Sequence, residues 1–183
     1  KLFEDCSHAH GAEYDGKKVG TFGDASAFSL QGKKTLTGGE GGIMLTNDEN
    51  IYVRANLLGQ YNKRCRDEIP QEHELYDYAV TGMGLKLRAH PLAIAIAEEQ
   101  FENLDEIVGK RREIAQYMIE ELKDVKGIDV PIVDEKSNPS WYAFVMQYNS
   151  EELEGLPIEK FYGALKAEGC KEIDRPGSTC PLN

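Results

Sequence analysis

Only four cysteines occur among the 183 residues, at positions 6, 65, 170 and 180. They form no C-x-x-C pair and no zinc-ligand spacing, and they are too few to staple a chain of this length. Reduced thiols in a cytoplasmic protein are the natural reading. Long apolar runs are missing as well, so neither a bilayer span nor a secretory h-region is readable. Basic residues are the minority charge: 21 Lys+Arg against 32 Asp+Glu leaves a net −11. A phosphate-backbone binder needs a basic face, so nucleic acid is disfavoured as a general partner. The one Asn-x-Ser look, Asn138-Pro139-Ser140, is excluded as a glycan acceptor by its proline. No initiator Met opens the chain, and Arg175 to Asn183 closes it without a helix or charged tail. Both ends read as cuts through a longer protein.

What is present is ordinary globular composition, with 40% hydrophobic and 29% charged residues. The length suits one domain or two small ones. Leu2 and Phe3 before Glu4-Asp5 predict the end of a buried strand, and Tyr14-Asp15-Gly16-Lys17 predicts a hairpin turn. Asp24 to Leu30 and Ile43 to Thr46 read as further strands, the first covered on both faces. Thr46-Asn47-Asp48-Glu49 fits a capping box for a helix carrying Ile51, Ala55 and Leu58, with Gly59 as its stop. Residues 60–80 are polar and irregular and predict a functional or interface loop.

A helix is expected from His90-Pro91, with Leu92, Ala95 and Ile96 as its core face. Leu104, Ile107, Val108, Ile114, Ala115, Met118 and Leu122 then recur at helical spacing, up to Gly127. Beyond it the texture predicts a strand over 128–133, another over 141–148, a helix over 157–168 and a strand over 171–174. The long helix thus reads as a connector to a small α+β unit.

Three patterns compete for chemistry. Gly11 to Lys18 nearly spells a P-loop, but Lys18 stands where Ser or Thr should hold magnesium, and a hairpin explains the glycines. His8-Ala9-His10, beside Glu4 and Asp5, would give two ligands on one strand face, with no third fixed by spacing. The third and richest is Phe28 to Gly42, where four glycines surround Glu40 and a Lys33-Lys34 pair follows a buried strand. Glycines there allow close backbone approach to a ligand, and a lysine at a strand end is a candidate imine-forming amine.

Glu4-Asp5-Cys6-Ser7-His8-Ala9-His10-Gly11-Ala12 resembles the E-D-x-[AS]-[QH]-A-x-G-A segment of the DegT/DnrJ/EryC1/StrS family of pyridoxal-phosphate-dependent sugar aminotransferases. Gly23-Asp24, Phe28-Ser29, the lysine loop into Gly-Glu-Gly-Gly and Thr46-Asn47-Asp48 repeat the next block in order. Arg88 to Phe101, Leu104-Asp105 and Arg111-Arg112 resemble a later one. The resemblance is strong over about residues 2–122 and collinear beyond.

It implies an α/β, fold-type-I pyridoxal-phosphate transferase. Residues 1–103 would be the later part of the cofactor-binding large domain, a mostly parallel sheet, and 104–183 the connecting helix and most of the small C-terminal domain. The resemblance places Asp5 at the pyridine nitrogen, His8 against the cofactor ring and Ser29 at the phosphate. It makes Lys34 the lysine that holds the cofactor covalently, since both its spacing after Ser29 and its spacing before Glu40 select it over Lys33. A branch with histidine at that position removes a sugar hydroxyl instead, so Lys34 argues for transamination. Lys86 replaces an asparagine that reaches the phosphate across the family's dimer, and stands between a phosphate contact and a plain surface lysine. Arg64 and Arg66 stand between a diphosphate contact and a solvated loop.

The implied activity is transfer of an amino group, from glutamate, to a keto-sugar nucleotide or related cyclic ketone, by a homodimer with shared sites. The alternatives are a dehydratase or non-catalytic relative within the same family, and a metal-binding protein built on His8 and His10. Because the family's N-terminal phosphate cradle is not in this sequence, these 183 residues are expected to bind pyridoxal phosphate poorly alone.

Overall fold

The computed structural model describes residues 1–60 and 62–174. Cys180 and the segment from Arg175 read above as a chain end lie outside them. Strand β1 (Phe3–Asp5) is followed by a hairpin of β2 (Glu13–Tyr14) and β3 (Lys17–Lys18). Asp15 and Gly16 at its tip have φ of 52° and 74°, the left-handed pair that an Asp-Gly turn supplies. The hairpin thus accounts for Gly16 of the P-loop lookalike, while Gly11 lies before it at φ 76°, where a Cβ would come 3.0 Å from Val108.

Strand β4 (Ala25–Ser29) pairs in parallel with β1, with Asp5 opposite Ala27, and antiparallel with β5 (Gly42–Thr46). Ala25 and Ser26 are buried while Ala27 is exposed, so β4 is covered on both faces only at its start. Helix α1 (Glu49–Gly59) follows, capped not by Thr46 but by Asp48, whose carboxylate accepts from the Ile51 N–H at 3.1 Å. Thr46 is the last residue of β5, opposite Ala25. Its hydroxyl donates to the Asp24 carbonyl at 2.6 Å and accepts from the Asp48 N–H at 3.0 Å, which turns the chain so that Asp48 takes the cap.

The stretch expected to be irregular contains α2 (Lys63–Glu68) and a 3-10 turn, Tyr76–Tyr78. Cys65, Ile69 and Ala79 pack with Val53 and Leu57 of α1, and Leu75 and Tyr76 cover them. The apolar residues of this stretch are too widely spaced to show a period, yet together they close one small core.

Helix α3 (Pro91–Glu102) starts where expected, with His90 Nδ1 accepting from the Leu92 N–H at 3.2 Å. Its buried face is not the expected one: Leu92 is 69% and Ile96 51% exposed, Ala95 is exposed too, and Ala97 is buried. Residues 92–97 are apolar all round, so periodicity cannot choose a face. Close approach by the 30–41 loop chooses it instead. After Asn103 comes α4 (Leu104–Leu122), whose stripe buries Val108 and Ala115 but leaves Ile114 exposed.

Two expected strands beyond are shorter, β6 (Ile128–Asp129) and β8 (Gln147–Tyr148), and an unexpected one, β7 (Ser137–Asn138), forms in the stretch between them. β6 pairs with β8, while β7 joins the far side of β2, with Tyr14 opposite Ser137. Residues 139–142 are therefore not strand. Helix α5 (Ile158–Ala167) agrees with expectation, but 171–174 form no strand. There the chain turns, and Ile173 gives its carbonyl to the Tyr162 hydroxyl at 3.0 Å.

Two compact units result. One comprises the described residues of 1–116 with 133–144, and the other those of 117–132 with 145–174. The second is organised by Tyr148 stacked on Phe161 at 4.8 Å and by Gly127, where a Cβ would lie 2.5 Å from Leu153. Among the described residues no helix is long and apolar enough to cross a membrane.

Candidate functional site

The site lies in the first unit, at the C-terminal ends of the parallel strands β1 and β4, the usual ligand edge of an α/β sheet. Side chains alternate along β1, so Glu4 and Asp5 face opposite ways. Glu4 is structural. It accepts from the N–H groups of Gly20, Phe22 and Gly23 at 2.8, 2.8 and 2.7 Å. Desolvation pushes its carboxyl up, but those three donors outweigh it and hold the group below its ordinary range.

Asp5 is exposed at the strand end. Its Oδ1 accepts from the Ser7 hydroxyl at 2.6 Å and the Ser7 N–H at 3.0 Å. The hydroxyl first, then the N–H, lower its carboxyl, and the charges of His8 and Lys34 act in the same direction. His8 is exposed, and its ring lies flat on Tyr142, centroids 3.9 Å apart and planes 6° apart. Lys34 Nζ sits over the same Tyr142 ring, 4.9 Å from its centroid.

Lys34 is placed by a pinned loop. Its N–H bonds the Gln31 carbonyl at 2.9 Å, and the Thr37 hydroxyl donates to the Leu30 carbonyl at 2.9 Å. Leu30 and Leu36 are buried with Ala97 of α3, and Gln100 Oε1 accepts from the Thr37 N–H at 2.9 Å. Gly38 completes the seat, its Cα packed directly on the Ala93 backbone. Ser29 ends β4 opposite Gly42, with its Oγ accepting from the Gln31 N–H at 3.3 Å. The structure thus brings His8 and Lys34 onto one ring, keeps Asp5 within reach of both their charges, and sets Ser29 at the mouth of the lysine loop.

Lys86 stands elsewhere, exposed on the run whose Met83, Leu85 and Leu87 N–H groups bond the carbonyls of Leu57, Leu58 and Gly59. Nearby, Arg64 Nε is bonded to both oxygens of Glu68 at 3.1 and 3.0 Å, so its charge is answered locally. It lines a cleft of about 470 Å³ together with Lys63 and Arg88.

His10 does not share a surface with His8. It is 4% exposed, its ring tilted on Phe28 at 5.4 Å. Burial pushes its imidazole below the ordinary value, and the charges of Lys34 and His8 add to that. Among the described residues no three His, Cys, Asp or Glu side chains come together as a metal-binding group.

Tyr142 is the side chain that sequence reading did not single out, because 141–148 reads as a strand. Arg112 Nη2 donates to the carbonyls of Gly11 and Asn138 at 3.1 and 3.0 Å, and its Nε to that of Pro139 at 3.0 Å. Arg111 Nη1 donates to the Trp141 carbonyl at 2.9 Å, and the Ser140 hydroxyl to that of His8 at 3.3 Å. Within this clamp Trp141 adopts φ 53°, which bulky side chains rarely do, and Tyr142 is turned onto His8. The Arg111-Arg112 pair was the visible signal, without the geometry that links it to residue 142.

Comparison with known proteins shows what the chain is similar to. An L-glutamine:scyllo-inosose aminotransferase of Streptomyces griseus is 32% identical over 187 residues, covering 100% of this chain and 44% of the relative. An L-glutamine:2-deoxy-scyllo-inosose aminotransferase of Streptomyces kanamyceticus is 36% identical over 91% of this chain and 39% of the relative. The chain therefore spans about two-fifths of the curated relatives it matches. The crystal structure of AtS13 from Actinomadura melliaura superposes with a TM-score of 0.71 at 27% identity, covering 91% of this chain and 42% of that one. The model of the DegT/DnrJ/EryC1/StrS aminotransferase family matches residues 1–172. The chain belongs to that family, and its α/β architecture is part of the fold-type-I frame of pyridoxal-phosphate enzymes.

Proposed function

We propose that the whole protein is a pyridoxal-phosphate-dependent aminotransferase that moves an amino group from an amino acid, glutamate or glutamine, onto a ring ketone. The observation that carries this reading is Lys34, seated by a pinned loop beside Asp5 and His8 at the ligand edge of the sheet. The donor set suits the cofactor: a carboxylate held ionised, a primary amine and a strand-end hydroxyl. Asp5 would pair with the protonated ring nitrogen, Ser29 would bind phosphate, and His8 would lie along the ring. Lys86 would add a point charge for phosphate in place of an amide.

Bound pyridoxal phosphate supplies an electron sink for the pair left when the donor's α-proton departs. Lys34 Nζ does the protein's part: it takes that proton and returns it. Asp5 keeps the ring nitrogen charged through the exchange. The acceptor is a keto-sugar nucleotide or a free cyclitol ketone, the latter supported by the substrates in the relatives' names. Lysine rather than histidine at position 34 favours transamination over dehydration. We assign the protein a homodimeric state, with Lys86 reaching the partner's phosphate.

The test is spectroscopic. The whole protein with added pyridoxal phosphate should develop a visible band that borohydride discharges, and Lys34→Ala should not. Purified enzyme is then given glutamate or glutamine with a keto-sugar nucleotide in one arm and scyllo-inosose in another. Absence of the band in the wild type overturns the reading.

A further inference from the structure

Tyr142 belongs to none of the roles assigned so far, yet the chain goes to some length to place it. It sits on a segment brought back more than a hundred residues in sequence to the strand ends that carry Asp5 and Ser29. Arg111 and Arg112 hold the segment's carbonyls at Asn138, Pro139 and Trp141, and Arg112 and Ser140 bond those of Gly11 and His8 beside it. Trp141 is held at φ 53° beside it. A left-handed conformation at a bulky residue persists only where its surroundings over-determine it, and such positions cluster at functional sites. Its consequence here is a single contact set: one aromatic ring touching both His8 and Lys34.

We propose that Tyr142 is a positioning residue for both groups. Its flat stack on His8, at 3.9 Å and 6°, fixes the plane of the imidazole, which a residue on a turn would otherwise be free to rotate. Its π-face gives the Lys34 side chain a resting place 4.9 Å from the ring centroid. This inference rests on the proposed function, under which Lys34 both holds the cofactor and moves a proton, the second task as a free amine. A flexible four-carbon stem released into solvent would wander, whereas an aromatic face beside Asp5 and His8 keeps Nζ within reach of the site. The ring face, not the hydroxyl, is the operative part.

Tyr142→Phe and Tyr142→Leu separate face from hydroxyl. In NMR of the ligand-free protein, the His8 ring protons and the Lys34 ε-methylene should be shifted upfield by the Tyr142 ring current. The shift should persist in Tyr142→Phe and vanish in Tyr142→Leu. In the loaded enzyme, Tyr142→Leu should lower kcat roughly tenfold, with KM for the amino donor within about twofold, and Tyr142→Phe should restore kcat. If Tyr142→Leu does not fold, Tyr142→Met, flexible and without a ring, is read in its place. Unchanged His8 and Lys34 shifts in the ringless variant, or an unchanged kcat, overturn the proposal. A wild type that never forms the borohydride-sensitive band overturns the aminotransferase reading instead, and the ligand-free NMR arm still decides whether Tyr142 holds His8 and Lys34.

Discussion

Gly38 rests on Ala93 so closely that a Cβ at position 38 would lie 2.5 Å from the Ala93 carbonyl oxygen. The obstacle is helix backbone, which cannot swing aside as a side chain would. Gly38→Ala therefore forces the lysine loop off α3. We expect a loss of about 1–3 kcal/mol in denaturant unfolding, the range for overpacking, together with weaker cofactor uptake. An unfolding midpoint equal to the wild type would show that the loop is not seated through Gly38.

Arg112 ties together carbonyls from three places, Gly11, Asn138 and Pro139. Arg112→Ala leaves those acceptors without their charged donor and should destabilise the protein by about 2–4 kcal/mol. Arg112→Lys should recover little, because one ammonium cannot reproduce the planar fork. Thermal and urea unfolding of the two variants check this, and full recovery by lysine would contradict the clamp.

His10 carries a pH dependence whose sign is fixed by burial. Its folded-state value lies below the ordinary 6.5, because desolvation disfavours the imidazolium. The unfolded chain thus binds the proton first on acidification. Stability is complete above about pH 6.5 and is lost as pH falls through the folded value. His10→Gln cannot titrate, so its melting temperature should fall less than the wild type's between about pH 7 and pH 5. Parallel melting curves for both proteins would refute a neutral buried His10.

Asp5 behaves in the same direction for another reason. The Ser7 hydroxyl and N–H hold its carboxyl below the ordinary 3.8. The stabilisation from those bonds is present above that value and lost as pH falls through the lower folded one. Ser7→Ala removes the larger cause and should move the Asp5 midpoint upward in a carboxyl 13C NMR titration. An unmoved midpoint would assign the effect to the backbone or to neighbouring charge.

Much of the site was readable because its residues follow strand ends in sequence order. Asp5, Ser29 and Lys34 stand at or just after the ends of β1 and β4, within one stretch of strong local signals, and the Asp15-Gly16 turn needs φ values that few residue pairs adopt. The unread part is long-range. Residues 92–97 are apolar on every side, so only the contacts of Ala93, Ala97 and Gln100 with the 30–41 loop reveal which face of α3 is buried. Cys65, Ile69 and Ala79 have no period of their own and acquire a core only against α1. Trp141-Tyr142 has strong β propensity and reads as strand, and only the arginine clamp on its carbonyls overrides that preference.

The pairing of β7 with β2 also sets an order of events. The bond from Asn138 Nδ2 to Glu13 Oε2 joins groups 125 positions apart. A ribosome adding about 5–20 residues per second has released Asp5, His8 and Lys34 many seconds before Tyr142 emerges. During that interval the nascent chain carries its reactive amine with no aromatic face beside it. Closing so long a loop is entropically costly and kinetically late. The emerging polypeptide therefore carries Lys34 without its aromatic neighbour until the segment from β7 to Tyr142 has been made.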